Sequence, residues 1–294
     1  MPLRSLVTQL RSAALTGELL QRTERDARLL LRGAGRISRA LVASALAQKE
    51  GRPLLVVVPT LEEAGRWTAL LELMGWGSAS LYPTSEGSPY EPFDPTSEII
   101  WGQLQVLSDL IGTDDPAGKA IVATERCLQP HLPPRQALEA TCRTLKKGDE
   151  FDLDDLADTL ARLGYERVST IDQEGTWSRR GDIVDIYPVS SELPVRLEFF
   201  GEELDKLREF DPATQRSLDP VDRLQLTPTG FGPLVADQLR ESMPEGLDRL
   251  LGDEATEELL EGGTPEGLRR LMGLAWGQPA CLLDYLPASA AVVI

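Results

Sequence analysis

The stretch Gly33-Ala34-Gly35-Arg36-Ile37-Ser38-Arg39-Ala40 has the residue types that come nearest to phosphate chemistry. A phosphate-binding loop reads GxxxxGK[ST]: backbone amides surround the phosphates, the lysine reaches the terminal ones, and the hydroxyl holds magnesium. Here neither the lysine nor the hydroxyl falls at the required spacing. The dinucleotide pattern GxGxxG fails too. Ser38 stands where the third glycine belongs, and the next strand ends in Pro59-Thr60 without the acidic residue that binds ribose. Gly33, Gly35 and Ser38 therefore read as a degenerate phosphate loop, a structural relic with no cofactor.

Other catalytic arrangements are weaker still. No GxSxG elbow is present, and His131, the single histidine, leaves little room for a Ser or Cys triad. Only Glu125 follows the run Ala120 to Thr124, where magnesium would want an acidic pair. Cys127, Cys142 and Cys281 lie far apart and form no CxxC, which excludes a disulfide framework and a structural zinc site. The expectation is a binding module with no enzyme activity and no metal.

Binding chemistry is concentrated between Gly175 and Pro228. In the run Val195 to Phe200, Val195, Leu197 and Phe199 fall on one face of a strand and Arg196, Glu198 and Phe200 on the other. An aromatic ring displayed beside an arginine is the composition of a protein-binding hot spot. The alternative is that a second layer of the same protein covers it.

The elements that must position these residues follow from periodicity. Residues 2 to 21 read as one amphipathic helix, with Leu3, Leu6 and Leu10 a turn apart. Arg28 to Arg32 reads as a buried strand feeding the glycine turn, and Ile37 to Gln48 as the helix after it. Leu54 to Val58, between Pro53 and Pro59, has the β-branched content of a strand covered on both faces. A helix from Leu61 to Met74 and short strands at Ala79 to Tyr82 and Ala120 to Thr124 complete an α/β pattern with a parallel sheet. Between the last two strands, Pro83, Pro89, Pro92 and Pro95 predict an extended loop. A helix capped by Thr96 or Ser97 follows, with Ile100, Leu104, Leu107 and Ile111 on one stripe. Pro130, Pro133 and Pro134 mark a boundary, and Phe151 to Leu163 reads as a helix ended by Gly164. The segment 237–266, with ten acidic residues against Arg240 and Arg249, reads as a solvated face.

The chain has 294 residues, 41% hydrophobic and 26% charged, enough for a real core and unlike a disordered sequence. No run approaches the roughly 18 apolar residues of a membrane helix, and a cytoplasmic location is expected from the cysteine usage. A net charge of −17 argues against a large nucleic-acid footprint. The bare apolar end, Ala290 to Ile294, reads as an interrupted core strand and so as a fragment.

Several short motifs occur in one order: Arg180-Gly181, Asp185-Ile186-Tyr187-Pro188, Glu192-Leu193-Pro194, Arg196-Leu197-Glu198-Phe199-Phe200, Phe210-Asp211 and Gln215-Arg216. This set resembles the transcription-repair coupling factors and, more distantly, the excision-repair protein UvrB. The likeness extends more weakly through Pro89-Tyr90 and Phe93 and through Leu282 to Leu286. It implies a RecA-like α/β domain with a degenerate phosphate loop, residues 1–141 and 229–294, interrupted by a small α+β domain at 142–228 that binds UvrA. The family's UvrA contact positions fall on Arg180, Arg196 and Phe200, whose guanidinium forks would pair with carboxylates of the partner. Strand parity had already joined Arg196 and Phe200, whereas Arg180 comes from the resemblance alone. UvrB's intact phosphate loop and long aromatic hairpin are missing. The resemblance further implies that RNA polymerase and DNA are met only through domains absent from this chain. The competing expectations are a nucleotide-dependent enzyme with an unorthodox loop and a UvrB-like DNA-binding module.

Overall fold

Leu54–Val58 forms the strand that its unbroken run of aliphatic residues predicts, and all five residues are buried. It pairs in parallel with Lys119–Thr124 on one side and Ala291–Val293 on the other. Ser78–Leu81 completes the sheet as a parallel neighbour of Lys119–Thr124. Leu54, Val56 and Val58 pack against Ala40, Ala43 and Ala47 of the helix Arg36–Glu50 and against Ala64, Trp67 and Leu71 of Leu61–Glu72. Each aliphatic side chain taken out of water in this way is worth roughly 1.5–3 kcal/mol. Thr60 caps the second helix by accepting the Glu63 amide at 3.2 Å.

Residues 2–85, 87, 91, 93–112 and 116–294 are described by this computed structural model. They form two compact units, one of Met1–Thr84, Thr113–Gln129 and Cys281–Ile294, the other of Ser85–Gly112 and Pro130–Ala280. No helix among the described residues is long and apolar enough to cross a membrane. The α/β expectation holds in the first unit. The expected single helix over 2–21 is two, Pro2–Ser12 and Ala14–Asp26, broken at Ala13. Arg28 to Arg32 is not a strand. Both places beside Leu54–Val58 are taken by Lys119–Thr124 and Ala291–Val293, and Leu30 is 74% exposed. The glycine turn is therefore not fed by a strand at all.

The second unit holds a six-stranded sheet ordered Ser217–Pro220, Glu203–Phe210, Val195–Phe200, Ile183–Tyr187, Thr176–Arg180 and Glu166–Arg167. Its pairings are antiparallel except the last. A separate ribbon pairs Arg143–Lys146 with Arg223–Leu226. Leu156 and Leu160 of the helix Leu153–Arg162 share a core with Trp177, Val184, Ile186, Val195, Leu197 and Phe199. Asp152 caps that helix through the amides of Asp154 and Asp155.

The unit boundaries differ from a division at 141 and 228, because the helix Ser97–Ile111 and residues 229–280 cluster with the antiparallel sheet. The Trp101 indole donates to the Thr229 carbonyl at 3.1 Å, and the Thr229 hydroxyl reaches the carbonyls of Leu163 and Gly164. Pro89, Tyr90 and Pro92 of the proline-rich loop lie outside the described residues.

Candidate functional site

Two tight hairpins build the site. Gly181-Asp182 joins Thr176–Arg180 to Ile183–Tyr187, and Gly201-Glu202 joins Val195–Phe200 to Glu203–Phe210. Gly181 and Gly201 have φ of +63° and +65° as the first residue of each turn, a region glycine enters without steric cost. The register then fixes which side chains share a face. Arg180 stands opposite Ile183, Ile183 opposite Glu198, and Glu198 opposite Lys206, while Asp185 stands opposite Arg196. Residues directly opposite lie on the same side of a sheet. Arg180, Ile183, Asp185, Arg196 and Glu198 therefore form one outer face, and Phe200 joins them by alternation. Both hairpin tips sit at the same end of the sheet, with the Arg180 and Phe200 Cα atoms about 12 Å apart by strand spacing and rise.

The alternation expected for Val195 to Phe200 is present: Val195, Leu197 and Phe199 are buried, Arg196 and Glu198 are half-buried, and Phe200 is 83% exposed. A register shift between Glu198 and Phe199 marks a bulge just before the tip.

Away from the hairpin tips this face is covered. Ile171, Tyr187 and Phe210 form a small second core there, with Val168 against it. Asp185 is only 3% exposed, and a buried carboxylate needs a cation. Arg196 supplies it through a fork, Nε to Oδ1 at 2.7 Å and Nη2 to Oδ2 at 2.9 Å. The Asp185 carboxylate holds the Arg196 pKa above its already high value. The guanidinium also lies over the Phe210 ring at 4.8 Å, and its Nη1 donates to the Gln215 carbonyl and the Ser217 hydroxyl at 3.5 Å. The fork expected to reach a partner carboxylate is thus engaged by Asp185 of the same chain. Nothing in the spacing of Arg196 revealed this, although a carboxylate set between Val184 and Ile186 is a signal that a cation must be near.

At the tips the face is open. Arg180 is exposed, and its Nη2 donates to the Ser169 carbonyl at 2.8 Å and the Thr170 hydroxyl at 3.4 Å. That contact steers the side chain and leaves its Nε and Nη1 without a hydrogen bond among the described residues. Ile183 is 38% exposed between Arg180 and Glu198, and Lys206 bridges Glu198 at 3.5 Å. Strand parity had already put Glu198 on this face, whereas Ile183 and Lys206 join it only through the register. An aromatic ring, an aliphatic patch and an arginine with free donors can anchor in an apolar pocket and pair with an acidic group.

The glycine turn offers no comparable arrangement. Gly35 caps the helix Arg36–Glu50 without a side chain, Arg36 is spent on Glu63 at 2.8 Å, and Ser38 points to solvent as an exposed residue. Among the described residues, no three His, Cys, Asp or Glu side chains converge as metal ligands would. Burial raises the Cys127 thiol to about 12 and the Cys142 thiol to about 11, the opposite of an activated nucleophile.

Residues 144–230, which carry all of this face, match the family described as the UvrB interaction domain. Over most of its length the chain is also similar to transcription-repair-coupling factors. It is 31% identical to that of Mycobacterium bovis across 100% of this chain, 30% identical to that of Bacillus subtilis across 90%, and 28% identical to that of Escherichia coli K12 across 91%. These alignments take in 25%, 24% and 23% of the relatives, so the chain spans about a quarter of their length.

Proposed function

The chain belongs to the transcription-repair-coupling factor family, and on that premise we propose that its UvrB interaction domain recruits UvrA through the open end of the outer sheet face. One observation carries the reading: Phe200, 83% exposed, shares that open end with Arg180 inside the matched domain. A large ring held in water by a rigid hairpin loses little conformational freedom when a pocket receives it. Arg180 supplies two free donor positions for an acidic group. Arg196 acts from beneath, bracing the strand through Asp185 instead of reaching across to UvrA.

In this reading the chain is a recruitment module in transcription-coupled excision repair and performs no catalysis and binds no cofactor. ATP-driven movement and contact with RNA polymerase belong to sequence outside these 294 residues, and 142–228 is an inserted module within an α/β domain. Calorimetric titration of UvrA into Phe200→Ala and Arg180→Ala variants tests the site. Each hot-spot truncation should weaken binding by about 2 kcal/mol, roughly 30-fold. Unchanged affinity in both variants overturns it.

A further inference from the structure

The net charge of −17 is distributed unevenly. The unit containing the parallel sheet has 13 Lys and Arg against 11 Asp and Glu, whereas the unit containing the antiparallel sheet has 17 against 36. Within the first, residues 2–39 carry eight arginines against Glu18, Glu24 and Asp26, a local net of +5. We infer that the two N-terminal helices and the segment after them form a binding surface for the phosphate backbone of double-stranded nucleic acid. The inference does not depend on the UvrA reading.

Arg4, Arg11, Arg22, Arg25, Arg28 and Arg32 are all exposed. Among the described residues none of the six forms an ion pair, although Arg36, Arg52 and Arg66 of the same unit do. Arg4 and Arg11 lie seven residues apart on Pro2–Ser12, two turns and about 10 Å along one side of the helix. Arg22 and Arg25 are neighbours on Ala14–Asp26. The stem of Arg4 lies close over Gly75, which fixes where its charge emerges. Leaving six cations exposed and unpaired contributes nothing to the fold, and it leaves every guanidinium free to exchange counterions for phosphates.

The remaining chemistry selects the ligand class. Residues 2–39 contain no Phe, Tyr or Trp, so they lack the stacking platforms that hold single strands and the aromatic anchors of protein interfaces. A membrane-surface helix would present its apolar stripe outward. Here Leu3, Val7 and Leu10 turn inward onto the core of the first unit. At about 0.1 M salt charges are screened over about 10 Å, so the local pattern outweighs the total.

Fluorescence anisotropy of the 294-residue chain with a labelled duplex of about 30 base pairs tests the inference. Six neutralised phosphates predict a log–log salt slope of about −5, and a roughly 1,000-fold loss of affinity between about 50 and about 200 mM salt. Replacing Arg11, Arg22, Arg25 and Arg28 together by Gln should flatten the slope by about 4 units, with an unchanged melting temperature as the check on folding. The same four positions as Lys should keep most of the slope, and Phe200→Ala should leave it intact. Absence of binding at about 50 mM salt, or an unaltered slope in the Gln variant, overturns the inference. So does stronger Arg-dependent binding to phosphatidylserine vesicles than to the duplex.

Discussion

The two ends of the outer sheet face follow the same two-residue alternation and reach opposite states. Away from the hairpin tips, Asp185, Tyr187 and Phe210 are buried and Arg196 half-buried beside the 168–173 and 211–216 segments. At the hairpin tips, Arg180, Ile183 and Phe200 meet water. Alternation decides which side of a strand a residue occupies, and only the crossing of another segment decides whether that side is covered. The covered end is accordingly a stability element, whereas the open end leaves its side chains to water.

The sharpest way to break this distinction is Phe210→Ala. Removing a fully buried ring from the small second core should destabilise the chain by about 4 kcal/mol, read as a lower urea midpoint. Asp185→Ala should follow with about 3 kcal/mol, since it leaves the Arg196 charge half-buried and unpaired. The double replacement Asp185→Val with Arg196→Met should recover most of that loss. Phe200→Ala should leave stability within about 0.5 kcal/mol of the parent while weakening UvrA binding, the inverse of Phe210→Ala. If Phe200→Ala instead unfolds the chain, the ends do not differ as described.

The smallest effect is a pH dependence. Asp211 accepts the amides of Ala213 and Thr214 at 2.8 and 3.1 Å, and those bonds hold its carboxyl below the usual range. A lowered folded pKa gives stability that is present above the unfolded value of about 4 and lost as pH falls through the folded one. NMR shifts of the Ala213 and Thr214 amides should move in that acid window and become pH-independent in Asp211→Asn.

Much of this was legible in the sequence where one physical signal dominated. Leu54–Val58 could only be an interior strand, and Phe200 could only face away from Leu197 and Phe199. The failures share a cause in non-local pairing. Arg28 to Arg32 has the content of a strand, but the places beside Leu54–Val58 are taken by Lys119–Thr124 and Ala291–Val293. The Asp185–Arg196 fork depends on a register set by two hairpins, which no local pattern reports. The total of −17 also averages over an uneven distribution, since residues 2–39 carry eight arginines against three acidic residues.

The bulge at Asp205, opposite the step from Glu198 to Phe199, and the two-residue turn at Gly201 have a consequence for how this sequence can drift. Loss or gain of a single residue between Arg196 and Phe200 would send every following side chain to the opposite side, turning Phe200 inward and Phe199 into water. Substitutions at the tip change the exposed surface by degrees, whereas a change of length there exchanges surface for core. Spacing along this hairpin is therefore the more heritable property, and the identity of the exposed residues is the more adjustable one.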